Sequence, residues 1–223
     1  VVGPLDLFES HGADALRLYH LFMGPPTDDT AWDTNGVDGT YRFLDRLWRV
    51  TTDTSEFAEA ADSGELLAEM HRTIKKVTED IDRFRFNTAI PPLMTLTNSL
   101  IDATRNGIEE SVFGEVVDTL AKLLSPMAPH IAHELWEVTG HDSMLATEPW
   151  PEWDPEMIKE ASVTMVVQVN GKLRDRIEVD ADITAEAAEE RALESEKIRA
   201  WLDGKTVRKV IVREPNLVNI VVG

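Results

Sequence analysis

Apolar residues recur every three or four positions through the first 145 residues and every second position after Ser162, so the chain is expected to change architecture along its length. In "GADALRLYHLFMG", Ala15, Leu18, Tyr19 and Phe22 form one helical stripe, and Gly24-Pro25-Pro26 ends it. "GVDGTYRFLDRLWRV" repeats the pattern with Tyr41, Leu44, Leu47 and Trp48. After a polar link, "SGELLAEMHRTIKKVTEDIDRF" aligns Leu66, Met70, Ile74, Val77 and Ile81, with Ser63 as the expected N-cap. "FNTAIPPLMTLTNSLIDAT" is apolar enough for a buried helix that Pro91-Pro92 should start or kink. "EESVFGEVVDTLAKLLSP" and "MAPHIAHELWEVTG" complete a set of about five or six helices with short links, which predicts a helical bundle over 1–145.

"ATEPWPEWDPEMIKEA" has no period, and its prolines and tryptophans predict an extended linker over 146–161. "SVTMVVQV" and "LRDRIEVD" then predict two strands around Asn170-Gly171, a hairpin signal. A two-residue turn there would face Val169 with Lys172 and mix apolar with basic residues. A three-residue connection aligns Met165, Val167 and Val169 with Leu173, Ile177 and Val179, leaving only Asp175 out of place. Burial dictates register, so the three-residue connection is the expectation. "TAEAAEERALESEKIRAWL" predicts one helix, capped by Thr184 and ended by Gly204. "TVRKVIV" and "LVNIVVG" add two strands separated by Glu214-Pro215-Asn216. The fold class is therefore mainly α: a helical bundle followed by a small α+β domain of ββαββ order over 162–223. A unit of about 60 residues sits near the lower limit of independent stability.

Composition narrows the function. The absence of cysteine excludes disulfides and thiolate chemistry, and no apolar run approaches a membrane span or a signal peptide. A reducing cytoplasm is the expected setting. The chain begins at Val1 rather than Met, which suggests a piece of something longer. Net charge is −19, unevenly spread: residues 1–161 hold 12 Lys/Arg against 30 Asp/Glu, whereas 162–223 hold 10 against 11. An acidic body repels nucleic acid, while a nearly neutral tail with basic clusters can touch it.

Four groups of residues invite chemistry. His130 and His133 share a helical face beside Glu134, but the zinc-protease order places Glu between the histidines, so a helix flanked by His is the expected outcome. Asp28, Asp29 and Asp33 lack the Gly and terminal Glu of a calcium loop and read as a solvated turn anchored by Trp32. No phosphate loop, nucleophile elbow or dinucleotide fingerprint occurs. Two basic clusters remain. Lys172, Arg174 and Arg176 alternate with apolar residues and should emerge on one side of the hairpin; Lys205, Arg208, Lys209 and Arg213 lie on or before a later strand. They are either exposed faces of a small sheet or a phosphate-contacting surface.

Several segments together resemble a known family. "GADALRLYHLFMGPP" and "GTYRFLDRLWR" resemble the region after the catalytic domain of class I aminoacyl-tRNA synthetases for aliphatic amino acids. "FNTAIPPLMTLTNSL" and "LLSPMAPHIAHELWE" resemble their helical anticodon-binding domain. "VVQVNGKLRDRIEVD", "WLDGKTVRKVIV" and the final "LVNIVVG" narrow the resemblance to bacterial-type leucyl-tRNA synthetases. Pro91-Pro92 departs from that pattern, where alanine-like residues are expected. The family's His-Ile-Gly-His and Lys-Met-Ser-Lys-Ser signatures are absent, and "VVGPLDLFESHGAD" resembles the sequence after the second of them.

The resemblance implies the C-terminal portion of a leucine–tRNA ligase, inactive alone, which positions leucine tRNA for a catalytic domain outside this chain. It implies a structural helix around His130 and His133, and no metal or cofactor here, with ATP and Mg serving the parent enzyme. The implied partners are leucine tRNA, at the elbow where its D and T loops meet, and the catalytic domain of the same synthetase, with neither DNA nor a membrane. The candidate tRNA contacts are Lys172, Arg174, Arg176, Lys205, Arg208, Lys209, Arg213 and Asn216, with Arg83 and Arg85 beside Phe84 and Phe86 as weaker candidates. Two other readings stand beside this one: a non-enzymatic protein-interaction module, and a metal-dependent hydrolase built on His130 and His133.

Overall fold

The chain divides into two compact units, Val1–Ile158 and Lys159–Gly223. The computed structural model describes residues 3–223 except positions 26, 34, 55, 60, 61, 159–161, 182, 214 and 215. Pro26, the end of the expected linker at 159–161, and Glu214-Pro215 of the last turn therefore lie outside the described residues. The architecture is mainly α, with a small α+β part.

Six helices build the first unit: α1 (Pro4–Phe22), α2 (Asn35–Asp53), α3 (Gly64–Asp82), α4 (Phe86–Asn106), α5 (Glu110–Leu124) and α6 (Pro129–Val138). Their buried stripes, from Leu18 through Phe43, Met70, Leu93 and Leu120 to Trp136, form one continuous core. Four details differ from the sequence pattern. First, α1 begins eight residues earlier than its stripe suggests, and it breaks at Gly12, whose φ of 80° belongs to the left-handed region. Second, the stripe of α2 is rotated: Val37, Thr40, Phe43, Leu44 and Leu47 are buried, while Tyr41 is exposed and meets the His11 ring edge-on. Third, Ser63 precedes α3 without a side-chain capping bond, and Asp62 Oδ1 accepts from Gly64 N instead, at 3.1 Å.

Fourth, Pro91 and Pro92 do not start α4, which opens five residues earlier at Phe86. The two prolines forfeit the N–H groups that would bond the carbonyls one turn back. Burial of Ala89, Ile90, Leu93 and Leu96 on the same helix offsets that loss.

The tryptophan-rich segment after Leu145–Thr147, a short 3₁₀ turn, is held on the first unit. Trp150 Nε1 donates to Thr78 Oγ1 at 2.8 Å, Asp154 N donates to His71 Nδ1 at 3.2 Å, and Trp153 packs against the core.

The second unit is a four-stranded sheet covered on one face by two helices. Its elements are β1 (Ser162–Val169), β2 (Lys172–Asp180), α7 (Ala185–Glu194), α8 (Glu196–Leu202), β3 (Val207–Arg213) and β4 (Leu217–Val222). Strand order is β2-β1-β4-β3, with β1 and β4 parallel at the centre and antiparallel strands at both edges. Met165, Val167, Val169, Val179, Val218 and Ile220 pack under Ala188, Ala192 and Ile198.

The hairpin corrects the expected register. The connection has two residues, Asn170 (φ 50°) and Gly171 (φ 75°), and Val169 does face Lys172. Positive φ at both positions matches the twist of the strands, which is why this short turn wins. Burial is satisfied by a β-bulge instead. Leu173 pairs with Gln168 and Asp175 with Val167, so Arg174 is the extra residue, and Ile177 and Val179 return to face Met165 and Val163. Leu173, expected inside, is 46% exposed. The single helix expected after Thr184 is also two. Thr184 caps α7, and Ser195 ends it while capping α8 through Ile198 N.

Asp14 fastens the ends of the first unit. It is buried in α1; its Oδ2 accepts from Ile131 N and its Oδ1 pairs with His130 Nδ1, both at 2.8 Å. It thus caps α6 from a distance, because Ala128 offers no capping side chain and Pro129 no N–H. Arg17 adds a bond to Met127 O at 3.1 Å. Asp14→Ala should destabilise this unit by about 2 kcal/mol, the cost of a lost cap plus an unsatisfied, part-buried N–H at Ile131. Urea unfolding followed by tryptophan fluorescence reports it, since five of the six tryptophans lie in this unit; an unmoved midpoint would show that the cap carries no stability.

Candidate nucleic-acid interface

The histidines and aspartates singled out in the sequence do not converge. His130 turns to Asp14, while His133 Nε2 lies 3.5 Å from Glu137 and Glu134 is exposed. Asp33 Oδ1 accepts from Asn35 N and Nδ2, both at 3.0 Å, and orders its own turn. Trp32 of that turn packs against Tyr19 and His20. Among the described residues no three His, Asp or Glu are grouped to hold a metal ion.

The cations of the second unit are arranged by the sheet. Residues directly opposite one another on neighbouring strands share a face. Lys172 therefore lies on the helix-covered face with Val169, and Arg176 lies on the other face with Val166. Together with the bulge at Arg174, this corrects the expectation that the three emerge on one side. Lys209 and Arg213 pair with Val221 and Leu217, on the face away from the helices. Arg208 is the extra residue of a second bulge, and its guanidinium lies against Gly223. Asn216 closes onto Arg213 through its backbone N–H, and its carbonyl accepts from Val166 N at 2.8 Å.

The structure also regroups the clusters. β2 and β3 are opposite edges of the sheet, so Arg208, Lys209 and Arg213 are separated from Arg176 by the two central strands. Lys205 joins Arg174 instead. The Arg174 guanidinium carbon lies 3.5 Å from the centroid of Trp201, and Lys205 Nζ lies 5.0 Å from it. Trp201 was invisible to periodicity, because a Trp three residues after the buried Ile198 looks like a continuation of the core stripe. Among the described residues none of the seven candidate cations of this unit has a carboxylate partner. Lys197 and Arg191, which were not candidates, are paired with Asp175 and Glu194.

Arg83 and Arg85 belong to the first unit, flanking the turn between α3 and α4. Between them Phe84 takes a φ of 57° and is 70% exposed, with its ring edge-on to Phe86. A bulky residue in the left-handed region that buries little is uncommon.

Comparison with known proteins places the chain in a family. A family model described as the anticodon-binding domain of tRNA ligase matches residues 64–189, more than half of the chain. The chain belongs to that family. Its sequence is similar to the leucine–tRNA ligase of Syntrophobacter fumaroxidans, at 43% identity over 238 aligned residues. It is equally similar to that of Parabacteroides distasonis, at 43% over 228. All of this chain is covered in both, but only 29% and 23% of the relatives, so the chain spans about a quarter of their length. Its fold is similar to part of a solved ternary complex of the Agrobacterium radiobacter K84 agnB2 LeuRS with tRNA and LeuAMS. The TM-score is 0.85 at 28% identity, over all of this chain and 30% of that one.

Asp175 holds the β2 bulge in place. Its side chain is only 9% exposed, and it accepts from Ser195 Oγ at 2.5 Å and from Lys197 Nζ at 2.9 Å. The Ser195 hydroxyl, then Lys197, hold its carboxyl below the ordinary value of 3.8, against the opposing effect of burial. A depressed folded pKa means that the carboxylate stabilises fully above the ordinary value. That stability is lost as pH falls through 3.8 toward the folded value. Asp175→Asn should therefore melt earlier than wild type at pH 7, with the gap narrowing at pH 3. Thermal melts followed by circular dichroism test this, and an equal gap at both values would remove the carboxylate from the account.

Proposed function

We propose that this chain is the RNA-gripping C-terminal part of a leucine–tRNA ligase. It positions leucine tRNA for ATP-dependent leucylation by a catalytic domain outside the chain. The observation that carries the proposal is the similarity along the whole chain to leucine–tRNA ligases, joined to a small unit whose candidate cations have no carboxylate partner among the described residues. Lys172, Arg174, Arg176, Lys205, Arg208, Lys209 and Arg213 are the proposed phosphate contacts, with Asn216 able to donate to a sugar or base edge. Arg83 and Arg85 are a second, smaller contact on the bundle. Such a grip reads backbone charge and shape rather than sequence. ATP and Mg act in the parent enzyme, at residues outside this chain.

The charge balance fixes how the grip should behave. With about four of these contacts on phosphates at once, the log–log salt slope is roughly −3 to −4. The acidic bundle opposes binding, although screening beyond a Debye length of about 8 Å limits its reach. The isolated chain should bind leucine tRNA weakly and lose it steeply with salt. Reversing Arg208, Lys209 and Arg213 to Glu should flatten the slope by about one unit for each contact removed. Fluorescence anisotropy with labelled leucine tRNA, at low and physiological salt, checks both. No binding at low salt, or an unchanged slope in the triple variant, would sink the RNA grip. With ATP, Mg and leucine added, the chain alone should form no leucyl-tRNA.

A further inference from the structure

Trp201 is the single tryptophan of residues 159–223, and it stands in the last turn of α8 with 42% of its surface exposed. A small unit with few large apolar residues leaves much of this indole in water, so packing alone does not account for its position. Two cations from other parts of the fold are brought to it. Arg174 reaches the ring as the extra residue of the β2 bulge, at 3.5 Å from its centroid, close enough for the planar guanidinium to stack. Bulges re-aim a side chain at the cost of local pairing. Lys205 sits 5.0 Å from the centroid and donates to Trp201 O at 2.7 Å, which leaves two of its three donors for another acceptor. Among the described residues Arg174 Nε is buried with no hydrogen-bond partner.

An exposed aromatic ring, a stacked guanidinium and an adjacent ammonium are the parts that hold an unstacked base. Every nucleobase has a π face, and aromatic rings and arginine planes receive bases that have left a helix. We infer that Trp201 with Arg174 is a stacking platform for an unpaired nucleobase of the bound RNA, and that Lys205 takes the phosphate beside that base. The inference rests on the RNA-binding function proposed above and adds to it a contact that is not electrostatic. The cations on β3 grip phosphates and respond to salt; the stack on the Trp201 ring holds a base and does not.

The test uses the full 223-residue chain and a leucine tRNA transcript, with the salt slope and tryptophan quenching as paired readouts. Trp201→Ala should weaken binding on the order of tenfold, the usual cost of one lost base stack, with the salt slope unchanged. Trp201→Phe keeps a ring and should keep most of the affinity, but the quench that RNA causes in wild type should disappear. Arg174→Lys keeps the charge without the planar stack and should fall between wild type and Trp201→Ala. Wild-type affinity in Trp201→Ala, or an undiminished quench in Trp201→Phe, overturns the platform while leaving the phosphate grip standing. If wild type binds no tRNA even at low salt, the grip and the platform fall together.

Discussion

Two demands on β2 are out of step by one residue. The Asn170-Gly171 turn requires Val169 to face Lys172, whereas burial requires Ile177 and Val179 to face the helices with Met165 and Val163. Alternation has a period of two, so one uninterrupted strand cannot meet both. The extra residue at Arg174 reconciles them, and most features of the second unit follow from it. It places Asp175 inward, opposite Val167, where a bare carboxylate would be costly. Ser195 and Lys197 supply its partners. Because Ser195 must turn to meet Asp175 and also cap α8, the helix is divided there. The last turn of α8 then sets Trp201 against the side chain that the bulge has displaced.

That chain of dependence marks the limit of what the sequence discloses. The helical stripes of the first unit were legible because each buries one face, and burial is what periodicity records. Asp175 was legible as a misfit, a polar residue where an apolar one belonged. The remedy was not. Parity shows that a strand has slipped by one position, but it does not say whether the turn or the strand absorbs the slip, and here turn geometry decided. Pro91-Pro92 misled for a related reason. A local rule allowed the prolines a start or a kink, and the start is not where they lie: α4 opens at Phe86 and buries Ile90 and Leu93 around them.

The candidate interface was legible by charge and illegible by grouping. Lys205 is a sequence neighbour of Arg208 and Lys209, yet the fold sets it beside Arg174, which is distant in sequence. Trp201 escaped notice because its spacing from Ile198 imitates a core position. Exposure is a property of the folded unit, and an exposed residue that keeps the rhythm of a buried stripe leaves no local signal.

The separation of charge within the second unit bears on why such a surface persists. Residues 162–223 hold 10 cations and 11 acids, so a mixed surface could pair most of them. Instead, five acids gather on the helices, at Glu186, Glu189, Glu190, Glu194 and Glu196, while the candidate cations line the edge strands and the approach to β3. Surface ion pairs contribute about 0–1 kcal/mol each, so edge cations with no carboxylate partner among the described residues cost the fold little. For a polyanion the gain is larger, since each such cation can release a condensed counterion. Contacts of this kind are individually weak, and they strengthen when a linked domain holds the same ligand and raises its effective concentration. A nearly neutral module with segregated charge is therefore suited to work as an appendage, adding grip and orientation to chemistry performed elsewhere.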